Sequence, residues 1–340
     1  MKAWIIDGKF GLDALRLAER ETPRPRAGEV LVRVRAASLN YRDLGVVEGF
    51  YFPDQPLPLT PGSDAAGEVV AVGEGVTRVR AGDRVALAFY QGAWIGGGPD
   101  RAALGTRTLG GPRQGVLAEY AIADAEGVVR YPEHLTFGEA STLPIAGVTA
   151  WQALFTEAQV GPGSVVVVQG TGGVAAFAIQ LARAAGARVL VTSRSAAKLE
   201  RARALGAHEA IDTSATPAWD ERVLALTEGT GADVVVDVAG GDLRRSVNAL
   251  RFGGQVSLVG LLGGTTAQLE VVPVIQRRAR IQAISVGSRE MFEALDRLVG
   301  LHRLRPAIAR TYPFERADEA LAALRAGEHV GKIVVDGATT

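Results

Sequence analysis

Residues 165–194, VVVVQGTGGVAAFAIQLARAAGARVLVTSR, constrain what this chain can fold into more than any other stretch. They read as strand, glycine turn, helix and second strand. Val165 to Val168 form a β-branched apolar run, suited to a parallel strand buried on both faces. Gly170, Gly172 and Ala175 follow at the G-x-G-x-x-G/A spacing. That spacing permits a tight turn, lets a diphosphate approach the backbone, and keeps the next helix close to the strand. A helix from about Gly173 to Ala185, closed by Gly186, would aim its free N–H groups at that diphosphate. A glycine triplet alone is weak. Here a second apolar strand, Arg188–Thr192, also sits where a dinucleotide site needs it. Gly170, Thr171, Gly172, Gly173 and Val174 are therefore candidate cofactor-binding residues.

The end of the second strand selects the nucleotide. An Asp or Glu roughly 20 residues past the glycines would hold the ribose 2′-hydroxyl of NAD. This chain has Thr192, Ser193, Arg194 and Ser195 there, with Lys198 one turn on. Arg194 can pair with a 2′-phosphate while Ser193 supplies a hydroxyl donor. A hundredfold preference needs only about 2.7 kcal/mol. NADPH (or NADP⁺) is the expected cofactor. The alternative is a solvated Arg194 beside a Ser195 that caps the next helix.

The 340 residues suffice for two domains and a sizeable core. Basic and acidic side chains balance at 37 each, so neither nucleic acid nor an anionic membrane is expected as a partner. No apolar stretch approaches the roughly 20 residues of a membrane span, and MKAWIIDGKF reads as a strand rather than a signal peptide. A cytoplasmic location is the expectation. Without cysteine there is no disulfide, no thiolate nucleophile and no Cys-ligated zinc.

Residues 1–125 are β-rich, with strands expected at 30–36, 67–73 and 84–89 and a long surface loop over 92–115. From about Leu143 the pattern changes to βα alternation, with strands at 164–169, 188–192, 208–212, 232–238, 255–260 and 281–287. Six parallel strands around two mononucleotide-binding halves describe a doubly wound Rossmann sheet. Beyond it, a helix at about 290–301, a strand at 307–311, a helix at 317–326 and a strand at 332–335 return to the mixed character of the beginning. The fold class is thus α/β. Residues 126–289 are expected to form a Rossmann domain inserted in a β-rich catalytic domain of residues 1–125 and 290–340.

Several strings together resemble one family: AASLNYRDL (36–44), PGSDAAGEVVAVGEGVTRVRAGDRV (61–85), TLPIAGVTAWQALF (142–155), the glycine loop, and AGEHVGKIVV (326–335). They are similar to the medium-chain dehydrogenase/reductase superfamily, and within it to the zinc-free quinone oxidoreductase-like and alcohol dehydrogenase-like branch. The resemblance spans nearly the whole chain and implies a GroES-like catalytic domain. It also implies that Thr149, Val238, Val259, Leu261 and Val286 border the nicotinamide, that Lys332 lies near the cofactor, and that the protein is a homodimer. An edge strand at 281–287 would suit pairing across a two-fold axis. Zinc members carry Cys, His, Glu and Cys where this chain has Asn40, Ser63, Asp64 and Ile145. The first, second and fourth of these cannot replace thiolate and imidazole ligands. His134, His208, His302 and His329 are scattered along the chain. No metal site is expected.

Without zinc, removing an alcohol's proton as hydride leaves becomes difficult. Reduction of a quinone or an α,β-unsaturated carbonyl needs less, because the charge settles on a delocalised oxygen that an amide or phenol can stabilise. By resemblance Asn40 and Tyr51 head the catalytic cleft, with Tyr41 and Asp43 on the same segment. Ser63 and Asp64 line the vacated metal position. Bland roles stand beside these: Asn40 as a helix N-cap, Tyr51 as a packed aromatic, Arg42–Asp43 as a local surface ion pair, and Ser63 as part of a hydrogen-bonded turn. The expected function is an NADPH-dependent, zinc-independent reductase of a small quinone or enone. Ketone or aldehyde reduction is the alternative, and an NADPH-binding structural or regulatory protein is a third reading.

Overall fold

The computed structural model describes residues 1–100 and 105–338. The chain divides into two compact units, Met1–Val148 with Gly287–Thr340, and Thr149–Val286.

In the first unit, β1 (Lys2–Ile6) pairs with β2 (Leu15–Glu19) as a two-stranded antiparallel ribbon. A larger sheet combines β3 (Glu29–Ser38), β4 (Asp64–Val72), β5 (Arg84–Leu87), β6 (Tyr120–Asp124), β7 (Val128–Val129) and the chain's last two strands, β14 (Ile308–Tyr312) and β15 (Lys332–Asp336). Its order is β14-β15-β3-β4-β5-β7, with β6 also on β3. The hub is β3, whose alternate residues Val30, Val32 and Val34 enter the core with Val69, Leu117 and Leu321. Register at its C-terminal end positions the site. Ser38 lies opposite Asp64 of β4 and opposite Val334 of β15. The Leu39 N–H then donates to the Ile333 carbonyl at 2.9 Å, which carries Asn40 to the level of Lys332.

Residues 126–148, grouped by sequence with the Rossmann part, pack in this first unit. The short β7 pairs with β5 through Ala86 and Val129, and the Phe137 ring lies under the guanidinium groups of Arg35 and Arg84. A two-residue strand and a four-residue helix are too short to carry a sequence period. The 92–115 segment also departs from a plain surface loop. Residues 101–104 lie outside the described residues, but Thr108 and Leu109 are buried.

The second unit is a six-stranded parallel sheet: β8 (Val165–Gln169), β9 (Arg188–Ser193), β10 (Glu209–Asp212), β11 (Ala232–Asp237), β12 (Leu250–Leu258) and β13 (Arg280–Ala283). The order β10-β9-β8-β11-β12-β13 is the Rossmann order 3-2-1-4-5-6 counted from β8. β12 begins at Leu250 rather than 255, because a register shift against β11 between Ala232 and Val234 accommodates Gly253 and Gly254 within the strand. β13 stops at Ala283, short of the expected 287. Val286 lies beyond it with φ 55°, a left-handed conformation that a β-branched residue cannot hold within a strand. No helix among the described residues is long and apolar enough to cross a membrane.

Candidate active site

In the Rossmann unit the chain leaves β8 through Gly170, at φ 77°, and enters the helix Gly173–Ala184 with Gly172 at its N-cap. A side chain at Gly172 would meet nothing within 4 Å, so the space over the turn is open. Among the described residues no side chain caps this helix, and its first turn holds no acidic residue, so its leading N–H groups remain available to an anion. Thr171 is buried in the turn, while Gly173 and Val174 open the helix.

Ser193 closes β9, and its Oγ accepts from the Ser195 N–H at 3.3 Å. Ser195 caps the helix Ala196–Ala204 by accepting from the Lys198 N–H, so Lys198 stands in that helix's first turn. Arg194 between them is exposed and forms no ion pair among the described residues. An open glycine turn followed by an exposed guanidinium fits a dinucleotide carrying a phosphate on its adenosine side.

Val238 and Val259 stand immediately past the ends of β11 and β12, and exposed Leu261 follows on the next turn. Thr149 is buried in the helical turn Val148–Trp151. Asp237, which the sequence reading passed over, organises this edge. Buried at the end of β11, it accepts from the N–H groups of Ala239 and Gly240 at 3.2 and 2.8 Å, and from Ser246 Oγ at 2.7 Å. Gln169, the last residue of β8, donates to the same Ser246 hydroxyl at 2.7 Å. The available signal was an acidic residue ending an apolar strand before Ala239-Gly240-Gly241, where a carboxylate can satisfy the turn's N–H groups.

In the first unit a buried polar cluster forms where β3, β4 and β15 meet. Lys332, 3% exposed, donates from Nζ to Asn40 Oδ1 at 2.5 Å and lies 3.6 Å from Asp64 Oδ2. Asn40 Nδ2 donates to the same Asp64 oxygen at 2.9 Å, and the Ile145 N–H approaches it at 3.4 Å. Asp64 Oδ1 is buried without a partner among the described residues. Burial pushes the Asp64 carboxyl up to about 7 against the opposing pull of Lys332, and burial lowers the Lys332 ammonium.

The Arg42–Asp43 pair expected at the surface is instead indirect, with Asp43 buried and Arg42 partly buried. Arg42 Nη1 donates to Ser63 Oγ at 2.7 Å, and Ser63 Oγ donates to Asp43 Oδ1 at 2.6 Å. Arg42 also holds the carbonyls of Leu109 and Gly111 at 3.2 and 2.6 Å, with its guanidinium 4.8 Å from the centre of the Phe89 ring. Ser63 is fully buried, and its hydroxyl bridges Arg42 and Asp43 of the helix Tyr41–Val47 rather than closing a local turn. The helix Tyr41–Val47 starts with the Asp43 carboxylate accepting from the Asn40 N–H at 2.8 Å. Asn40 is the N-cap of this helix, in a capping box with Asp43, and its side chain also meets Lys332 and Asp64.

Tyr41 and Tyr51 are 53% and 39% exposed. The Tyr51 ring lies against Gly45, where a Cβ would come within 2.6 Å of it. Burial raises the Tyr51 phenol above its ordinary value, so it stays protonated at neutral pH.

The donor set at the positions of the zinc ligands does not fit zinc. It consists of an amide engaged by Lys332 and Asp64, a hydroxyl engaged by Arg42 and Asp43, an isoleucine, and one carboxylate beside an ammonium. No group of three His, Cys, Asp or Glu among the described residues could hold a metal ion.

Two family models match the chain: the alcohol dehydrogenase GroES-like domain over residues 26–133 and the zinc-binding dehydrogenase domain over residues 173–300. A zinc-type alcohol dehydrogenase-like protein of Schizosaccharomyces pombe is 40% identical, covering 97% of both chains. An NADPH-dependent alkenal/one oxidoreductase of Arabidopsis thaliana is 32% identical over 98% of this chain and 79% of its own. Among solved structures, a putative alcohol dehydrogenase from Sinorhizobium meliloti superposes with TM-score 0.92 at 42% identity, covering 98% of each chain. An NAD-dependent alcohol dehydrogenase superposes with TM-score 0.89 at 33% identity over 99% of each. The glycine turn on a 3-2-1-4-5-6 sheet, the GroES-like unit and these relatives agree: the chain belongs to the medium-chain dehydrogenase/reductase superfamily and is an oxidoreductase.

Proposed function

We propose that this oxidoreductase uses NADPH, works without zinc, and delivers hydride to a quinone or an α,β-unsaturated carbonyl. The observation that carries the reading is the buried cluster in which Lys332 and Asn40 engage Asp64, Asn40 and Asp64 standing at positions where, by the family resemblance, zinc members carry ligands. Bound NADPH supplies the hydride. The Gly170–Gly173 turn and the first N–H groups of the following helix seat its diphosphate, and Arg194 pairs with its 2′-phosphate. Asn40 gives one amide N–H to Asp64 and offers the second to the acceptor oxygen. The protonated phenol of Tyr51 is a second donor on the same segment. A conjugated acceptor spreads charge onto its oxygen and is served by such neutral donors, whereas alcohol oxidation needs a base or Lewis acid to take the hydroxyl proton. The similarity to an NADPH-dependent alkenal/one oxidoreductase supports this choice.

Turnover with a quinone, an enone and a simple ketone under NADPH tests the reading. Activity confined to the ketone rejects it in favour of carbonyl reduction with Tyr51 as proton donor. Tight NADPH binding without turnover of any acceptor favours a structural or regulatory role. The proposal includes a homodimer. β13 leaves one sheet edge open, and Leu262, Val271, Val272 and Ile275 are 60–68% exposed in the same unit. Sedimentation as a monomer at micromolar concentration contradicts this part.

A further inference from the structure

We infer that Lys332 and Asp64 are positioning residues for Asn40: together they lock its amide so that one N–H faces the acceptor, and Lys332 does not bind the nucleotide. The inference rests on the proposed reading that Asn40 meets the acceptor.

An asparagine amide presents one acceptor and one donor face, and a half-turn about its last bond exchanges them. Lys332 can only donate, and at 2.5 Å it demands the amide oxygen. Beside the Lys332 ammonium, Asp64 Oδ2 accepts from the amide nitrogen at 2.9 Å, and in its ionised form, which prevails above about pH 7, it can only accept. A flipped amide would set N–H against ammonium and oxygen against carboxylate. The two partners therefore select one orientation and engage one of the two N–H groups, leaving the other for a ligand.

The backbone enforces the arrangement. The Asn40 N–H is held by Asp43, and the Leu39 N–H is paired with the Ile333 carbonyl. The strand containing Lys332 is thus fastened beside the residue it orients. Lys332 is buried and already committed to Asn40 and Asp64, which leaves its ammonium poorly disposed to reach a phosphate. This departs from the cofactor contact that the family resemblance implies for this lysine.

Three variants test it: Lys332→Met, Asn40→Ala and the double variant. NADPH affinity is measured by fluorescence titration, and kcat and KM with whichever acceptor is turned over. Lys332→Met is expected to lower kcat about tenfold or more, approaching the loss in Asn40→Ala, while the Kd for NADPH stays within about twofold. The double variant is expected to be no slower than Asn40→Ala, since both substitutions remove the same donor. A tenfold weaker NADPH complex in Lys332→Met, or losses that multiply in the double variant, overturns the inference. If Lys332→Met leaves Asp64 too poorly compensated to fold, Lys332→Met with Asp64→Asn carries the same measurements with both partners neutral. Multiplying losses in a confirmed enone reductase sink the clamp alone. Coupled losses in an enzyme restricted to simple ketones sink the acceptor assignment and keep the clamp. Absence of turnover with every acceptor overturns both.

Discussion

Replacing Ser63 by alanine separates a structural hydroxyl from a catalytic one. Ser63 is fully buried, and its Oγ both donates to Asp43 at 2.6 Å and accepts from Arg42 at 2.7 Å. Hydrogen bonds to charged groups contribute about 1.5–3 kcal/mol each. Arg42 keeps the carbonyls of Leu109 and Gly111, so its side of the loss is small. Asp43 keeps the Asn40 N–H on Oδ2, but its Oδ1 loses the hydroxyl inside a site with no solvent exposure. The sum falls near 3 kcal/mol, dominated by the Asp43 oxygen. The assay is urea unfolding of Ser63→Ala beside the parent, following the transition of the unit that contains it, with kcat/KM measured on the folded protein. Stability is expected to drop by about 3 kcal/mol while kcat/KM changes by less than about threefold. Unchanged stability with turnover reduced a hundredfold would refute the reasoning and place Ser63 in the chemistry.

Three further substitutions probe separate parts of the account. Arg194→Ala should reduce the preference for NADPH over NADH by about ten- to a hundredfold, or roughly 1.4–2.7 kcal/mol, read as the ratio of kcat/KM for the two nucleotides; an unchanged ratio removes Arg194 from the phosphate site. Asp296, on the helix Arg289–Leu301 four residues after buried Phe292 and three before buried Val299, has neither carboxyl oxygen hydrogen-bonded among the described residues. Burial raises its carboxyl well above the ordinary value, Glu293 adding to the rise and Arg297 opposing it. The folded chain thus keeps a proton that the unfolded chain releases above about pH 4, so the parent loses stability as pH rises from there through the folded value. Asp296→Leu should stabilise by about 1–3 kcal/mol and by more at pH 8 than at pH 4; a loss, or a gain independent of pH, contradicts this. Gly45→Ala must displace the Tyr51 ring, which a Cβ would approach to 2.6 Å, and should lower turnover about tenfold with little change in stability. Full activity in that variant would exclude Tyr51 from the reacting centre.

The Rossmann unit was legible because each of its parts has a local signature: an apolar strand, glycines at fixed offsets, and a helix that begins where the glycines end. Asn40, Ser63 and Asp64 could be marked from the family strings, but their partners could not. Arg42 closes on Thr108, Leu109 and Gly111, more than sixty residues away, and Asn40 meets Lys332 at a separation of 292. Such pairings follow from sheet register, which a single strand does not encode. The same cause hid the assignment of residues 126–148, whose short elements declare themselves only once paired with β5. At Val286 the period of the pattern misled: the apolar run continues past Ala283, but the backbone turns left-handed before it ends.

The claim at the centre of this account is that hydride reaches the acceptor without a metal ion. It is tested most directly by dialysing the protein against a strong chelator, then measuring zinc content and NADPH oxidation with an enone or quinone in the same sample. Full turnover at far less than about one zinc per chain is the predicted result. Turnover that vanishes with the metal and returns in proportion to added zinc would contradict it.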